Sequence, residues 1–322
     1  SCLTRIEVRV KIRRMSGSGS SPTGCADASP RPVDAAENGG RVHRGERLRR
    51  GLVAVLLVAL PAVVLVGAWR LGGVSALEDD LIYYLPVRQY IGERLRAGEL
   101  PMWNPLVAMG TSIAADPQAG LWYPPTLLFA LLSPLWAYPV TLVLHFALAG
   151  GGMYRFLRSA RNDRSAALLG AIAFQFCGFL VAHRAHLTIL EATAWLPWMF
   201  YAWRRLAESG AYRHFAAAAV VLGLQMLVQH IQVTIIGATL LTAYVALVLW
   251  PRRRAMAWLY PIGMAIGLML SGIQLIPTLF QFAGSIRRAP ASHLFVENCG
   301  WPGSAVVLRF PVLFGARPPH GG

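Results

Sequence analysis

Residues 51–69 read GLVAVLLVALPAVVLVGAW, nineteen uncharged residues closed off by Arg50 and Arg70. A helix rises about 1.5 Å per residue, so this run is long enough to cross a hydrocarbon core of about 30 Å. Glu78-Asp79-Asp80 follows within ten residues of its end, in a chain with only 15 acidic residues and a net charge of +15. A carboxylate cluster just past a first membrane span, followed by Tyr-, Trp- and Pro-rich sequence, points to a reaction site at the membrane surface. A plain anchor would not need it.

The rest of the composition agrees with a membrane reading. The chain is 55% hydrophobic and 14% charged, far from ordinary soluble proteins. Several long apolar runs follow the first. Backbone in lipid must satisfy its own hydrogen bonds, so the spans are expected to be helices, and the runs are too uniformly apolar for barrel strands. Cys2, Cys25, Cys177 and Cys299 are scattered, with no metal-binding spacing and no disulfide framework. The basic excess sits in short loops between spans, as the positive-inside rule requires. No nucleic-acid motif competes with that reading, so nucleic acid is not an expected partner.

Residues 1–50 are rich in Ser, Gly, Pro and Arg without a hydrophobic period, and are expected to be a disordered basic cytoplasmic tail. Met15 opens a more typical polar tail, so residues 1–14 are expected to be upstream or added sequence. Residues 41–50 carry five arginines against one Glu, which holds the N-terminus in the cytoplasm. Residues 51–322 form the transmembrane domain. Hydropathy places six further spans near 136–157, 165–182, 189–203, 214–230, 232–250 and 257–280, about seven in all. Arg155, Arg158, Arg161 and Arg164, then Arg204, Arg205 and Arg213, then Arg252, Arg253 and Arg254 all fall on the cytoplasmic side of this arrangement. Arg287 and Arg288 fall on the other side and hint at an anionic ligand there. The ending Pro318-Pro319-His320-Gly321-Gly322 leads us to expect further sequence beyond it.

Residues 71–135 are then the first and largest extracytoplasmic segment. Asp80 to Ala97 reads as a helix lying along the membrane surface, with Leu81, Leu85, Ile91 and Leu95 apolar and Arg88, Glu93 and Arg94 polar. Gly98 stops it, residues 101–105 are loop, and Pro124-Pro125 opens a short apolar stretch to Leu132. An aspartate at the surface can take a proton from a hydroxyl or hold a divalent cation against a phosphate. It can equally cap the helix that follows, and one Asp can cap while its neighbour reacts. His183, His186, Glu191, His230 and Gln232 lie near span ends, where polar groups are costly and often functional, or simply meet water and backbone. A zinc site from the three histidines is conceivable on composition, without a diagnostic spacing. Trp103, Trp122, Tyr123 and Trp136 can stack on a sugar ring or form an interfacial belt, the better reading for Trp136.

Taken together, several stretches resemble the YfhO family of bacterial membrane proteins. They are Asp79–Pro86, Gly98–Pro105, Gly110, Asp116–Pro125, His145–Arg158, His186–Leu190 and Ala194–Pro197. Gln229-His230-Ile231-Gln232 is similar to the family's Gly-His-Pro-Gln segment, and Gln274–Thr278 precedes Ser285–Arg287. The likeness runs over about residues 75–315. It implies an all-α, polytopic transmembrane bundle of the GT-C glycosyltransferase kind, with surface helices in its first extracytoplasmic loop. It also implies a chain holding only the N-terminal half of the usual family length.

By that resemblance Asp79 is the catalytic or metal-holding residue, with Asp80 beside it. Mg or Mn is a candidate cofactor on these two aspartates. Arg287 or Arg288 pairs with a donor phosphate, and His186, His230 and Gln232 shape the pocket. Glu78, Trp103, Asn104, Asp116 and Gln118 complete the candidate substrate contacts. The implied activity moves a sugar from a polyprenyl-phosphate carrier to an envelope glycan or polymer, at the cell membrane and among its lipids. The competing reading is a transporter or assembly partner for lipid-linked sugars with no transfer activity. A transporter favours internal repeats and helices broken at the midplane, and no clear repeat is present.

Overall fold

The computed structural model describes residues 48–49, 51–66, 79–107 and 109–284. It is helical nearly throughout. Helix α1 (Gly51–Leu65) precedes a π turn at Asp80–Tyr84, which runs into α2 (Leu85–Arg96). Two-residue strands β1 (Trp103–Asn104) and β2 (Thr111–Ser112) pair antiparallel, Trp103 opposite Ser112. Residues 101–105, expected as loop, thus contain a short ladder. A 3-10 turn at Pro124–Leu127 leads into α3 (Leu128–Leu131). The long helices follow: α4 (Pro134–Ser159), α5 (Arg164–Gln175) with α6 (Gly178–Ala182), α7 (Leu187–Ser209), α8 (Tyr212–Val228), α9 (Ile231–Tyr244, continued as a π segment to Leu249), α10 (Met256–Leu270) and α11 (Gly272–Ala283).

Local chemistry sets these boundaries. Pro134 opens α4 where a missing N–H costs nothing. The Asp163 carboxylate accepts from Ala166 N at 2.7 Å and caps α5. Gly210 adopts φ +68° and ends α7, a left-handed conformation that glycine takes without steric penalty. By length and composition three helical stretches can each cross a membrane: Pro134–Ser159, Arg164–Ala182 and Ile231–Leu249. The bent pair α10–α11 makes up to four. This is an all-α membrane protein.

Two span expectations need correction. The stretch at 165–182 stands as a candidate span with a short break between Gln175 and Gly178. The short fourth run is a 23-residue helix, α7, that carries Glu191, Arg204 and Arg205 and so is not uniformly apolar. The expected span 257–280 is broken at Ser271, where its halves meet at 75°. Hydropathy averages over such a joint because both halves are apolar.

Helices α4 and α7 make the most extensive contact, α5 lies on α4, and α8 joins α7 to α10. Gly152 makes the α4–α7 approach close: a Cβ there would sit 2.6 Å from the Trp198 ring. Gln175 Nε2 donates to Leu57 O at 2.8 Å and ties α5 to α1. One apolar core, around Trp203, Met199, Leu222 and Leu241, lies among α7–α10. A second, around Tyr84, Phe129, Phe146 and Leu190, lies where the 79–133 segment meets α4 and α7.

That contact buries one face of α2 against protein. Val87, Arg88, Ile91 and Gly92 are all buried. Gly92 has no side chain, and α2 uses that to lie against the Phe129 backbone. Arg88, expected on a polar outer face, has no solvent exposure. Its partner is Glu191 on α7.

Candidate functional site

The site forms where the start of α2 meets the starts of α7 and α4. Asp79 and Asp80 are adjacent in sequence but point into different surroundings. Asp79 is exposed, and its Oδ2 lies 3.0 Å from His186 Nε2, at the N-cap of α7. Asp80 is only 4% exposed and accepts a hydrogen bond from the Tyr138 hydroxyl on α4. Neither side chain caps the helix: Asp79 occupies the N-cap position without a capping hydrogen bond. The capping role is thus replaced by two tertiary contacts.

Burial divides the pair electrostatically. Removal from water pushes the Asp80 carboxyl up from about 3.8 to about 7, with the Tyr138 hydrogen bond opposing, the Asp79 charge adding and Arg184 opposing. The two carboxylates therefore need not be ionised together near neutral pH. The His183 and His186 rings lie 5.7 Å apart between centres, tilted by 59°. His230 is half-buried at the N-cap of α9. Its imidazole is held below the usual value by burial and by the neighbouring His183 and His186. Asp79, His183, Arg184, His186 and His230 thus gather at one end of the bundle.

Behind this patch lies a buried polar frame. Arg88 Nη2 donates to Glu191 Oε2 at 3.0 Å, with both side chains at 0% exposure. Arg88 also donates to Thr126, which donates to Gly120 O at 2.6 Å. Gly120 has φ +63°, and a Cβ there would run into the Arg88 guanidinium. Tyr84 and Thr188 hydroxyls lie 3.1 Å apart. The Tyr123 hydroxyl meets His145 Nε2 at 2.7 Å and accepts from Trp195 Nε1 at 2.9 Å. These bonds fix the 79–133 segment onto α4 and α7.

The other expected residues fall differently. Asp116 accepts from the Tyr83 hydroxyl and from Gln118 N, so it belongs to the frame around α2. Asn104 is buried and accepts from Leu106 N within its own turn. Trp103 is exposed and packs over Gly110. Gln118 and Gln232 are exposed. Glu78, Arg287 and Arg288 lie outside the described residues. For a cation on Asp79 and Asp80 the donor set does not converge: one carboxylate is turned to His186 and the other to Tyr138. Among the described residues no group of three or more His, Cys, Asp or Glu could hold a metal, the three histidines included.

Sequence reasoning missed Arg88, Tyr138, Tyr83 and Thr126. One signal was available. Glu191 in the apolar part of its helix calls for a buried cation, and Arg88 is among the few arginines outside the cytoplasmic loops.

Comparison with curated proteins and with solved structures finds no match. The family model described as bacterial membrane protein YfhO matches residues 123–301, which takes in Tyr123, Tyr138, His145, His186, Glu191 and His230 and leaves Asp79, Asp80 and Arg88 before its start. That match covers more than half of the chain, and the chain belongs to the YfhO family.

Proposed function

We propose that this protein is a GT-C-like glycosyltransferase. It would move a sugar from a polyprenyl-phosphate carrier to a hydroxyl of an envelope glycan or polymer, on the extracytoplasmic side of the cell membrane. The reading takes about seven spans with the N-terminus inside, supported by the arginine-rich loops. The observation that carries it is the Asp79–His186 pair: an exposed carboxylate oriented by a histidine, backed by a buried ion-paired frame.

In this mechanism Asp79 accepts the proton of the acceptor hydroxyl as that oxygen attacks the anomeric carbon. The bond from the anomeric carbon to the carrier phosphate breaks, and polyprenyl phosphate leaves as the anion without needing a proton. His186 holds Asp79 in place. Asp80 is turned away from solvent and acts through Tyr138 as a positioning residue. No step is routed through a metal. Arg287 and Arg288 are the proposed partners of the donor phosphate, suited to two parallel hydrogen bonds.

A transporter or assembly partner would move or hold the lipid-linked sugar intact. The experiment is incubation of reconstituted protein with a panel of polyprenyl-phosphate sugars labelled in the sugar. Release of polyprenyl phosphate together with label on a polymer acceptor supports transfer. Label crossing the membrane while still on the lipid would overturn it.

A further inference from the structure

Helix α11 is amphipathic in the wrong sense for water. Gln274 and Thr278 lie one turn apart on one stripe of the helix. Gln274 is fully buried, and its Nε2 donates to Ala114 O at 3.2 Å and Asp116 O at 3.4 Å. Thr278 Oγ1 donates to Ala115 O at 2.9 Å. The polar stripe thus faces the protein and satisfies three successive carbonyls of irregular backbone. The opposite face exposes Ile273, Ile276, Leu279 and Phe280, the last at 77%. A helix on a water-facing surface would turn these inward.

The β1–β2 hairpin just before residues 114–116 exposes Leu106, Val107 and Met109 at its tip, Leu106 at 79%. Irregular backbone at membrane depth survives only where its polar groups are satisfied by protein, and Gln274 and Thr278 do that for the 114–116 carbonyls. Residues 256–283 contain no charged residue. Helix α11 has 12 residues, about 18 Å, too short to cross about 30 Å of hydrocarbon. It turns 75° from α10 at Ser271.

We propose that α11 and the 100–109 hairpin form a lipid-embedded foot: α11 lies in the plane of one leaflet, with acyl chains covering its Ile273–Phe280 face and the hairpin tip. The foot holds the Ala114–Asp116 backbone, and with it Asp116, at the membrane boundary. A second copy of the chain is the less favoured occupant, because the apolar face continues directly from α10, a helix of the bundle. The proposal stands apart from the transferase reading, and none of its readouts needs activity.

The test uses the full chain in phospholipid nanodiscs, with its four cysteines replaced and single nitroxide labels at 273, 276, 280, 283 and 106. Collision with oxygen and with a water-soluble nickel chelate reads depth. All five labels should favour oxygen, and the four on α11 should report one depth. An upright helix would instead spread those four over about 15 Å of depth, and that gradient overturns the in-plane foot. Nickel access at 280 or 106 puts the face in water. A label shielded from both reagents puts it against protein, a second copy included. Either outcome sinks the proposal. Hydroxyl-radical footprinting of the unlabelled wild type supplies the check on folding: Met109 should lose its oxidation in nanodiscs relative to the urea-unfolded chain. Equal oxidation in both states would contradict the embedded tip.

Discussion

Removing one member of the Arg88–Glu191 pair should be costly, and removing both should cost far less than the sum. The two side chains come from segments 103 residues apart, meet at 3.0 Å and have no solvent exposure. Breaking such a pair leaves a buried charge without compensation, worth about 3–5 kcal/mol. The loss of the Thr126 hydrogen bond adds about 1 kcal/mol for Arg88→Met. Glu191→Met strands the Arg88 guanidinium without its partner and should cost about 3–5 kcal/mol as well. Arg88 Nε and Glu191 Oε1 have no hydrogen-bond partner in the frame. The intact pair is therefore incompletely satisfied, and an apolar replacement forfeits less than it would in a complete network.

The Arg88→Met, Glu191→Met double variant should accordingly fall within about 2 kcal/mol of wild type, a coupling of several kcal/mol. Unfolding by sodium dodecyl sulfate in mixed micelles, followed by circular dichroism, measures the cycle. Additive effects, or single variants that cost less than about 1 kcal/mol, would show that the pair is solvated or not formed. Either result would remove the frame that holds α2 against α7.

Other outcomes follow from the same geometry. The Asp80 carboxyl at about 7 holds a proton in the folded chain that the unfolded chain releases near 3.8. Its contribution to stability is therefore neutral at low pH, falls as pH rises from about 4 to 7 and is flat above that. Wild type minus Asp80→Asn in a pH series of thermal melts should show that slope, and a flat difference refutes the burial argument. Gly120→Ala should destabilise by about 1–3 kcal/mol, since a Cβ meets the Arg88 guanidinium at positive φ; an unchanged melting temperature contradicts that packing. A cysteine introduced at Ala97, exposed after α2, should react with an impermeant thiol reagent in intact cells. Labelling only after lysis reverses the proposed topology.

The helices were legible in the sequence because hydropathy needs only local composition. The 75° joint at Ser271 was not, because both flanking segments are equally apolar and the bend is set by Gln274 and Thr278 bonding a loop about 160 residues earlier. The carboxylate pair was legible as a cluster in a basic chain. Its division into one exposed and one buried member was not, because Tyr138 and His186 approach through tertiary packing. Arg88 misled because a 3.6-residue pattern marks it as polar and says nothing about a partner on another helix. The resemblance supplied Gln274–Thr278 as a motif; its role on the Ala114–Asp116 carbonyls is visible only in the fold.

In the proposed transfer, Asp79 takes the acceptor proton. The direct measurement is the rate of polyprenyl-phosphate release from a labelled lipid-linked sugar by Asp79→Asn beside wild type, in reconstituted membranes with equal folded protein. The expected loss is about 100-fold or more, the scale of a removed general base, with a smaller loss for His186→Gln, which only holds Asp79. Turnover by the Asp79→Asn protein near that of wild type would contradict it.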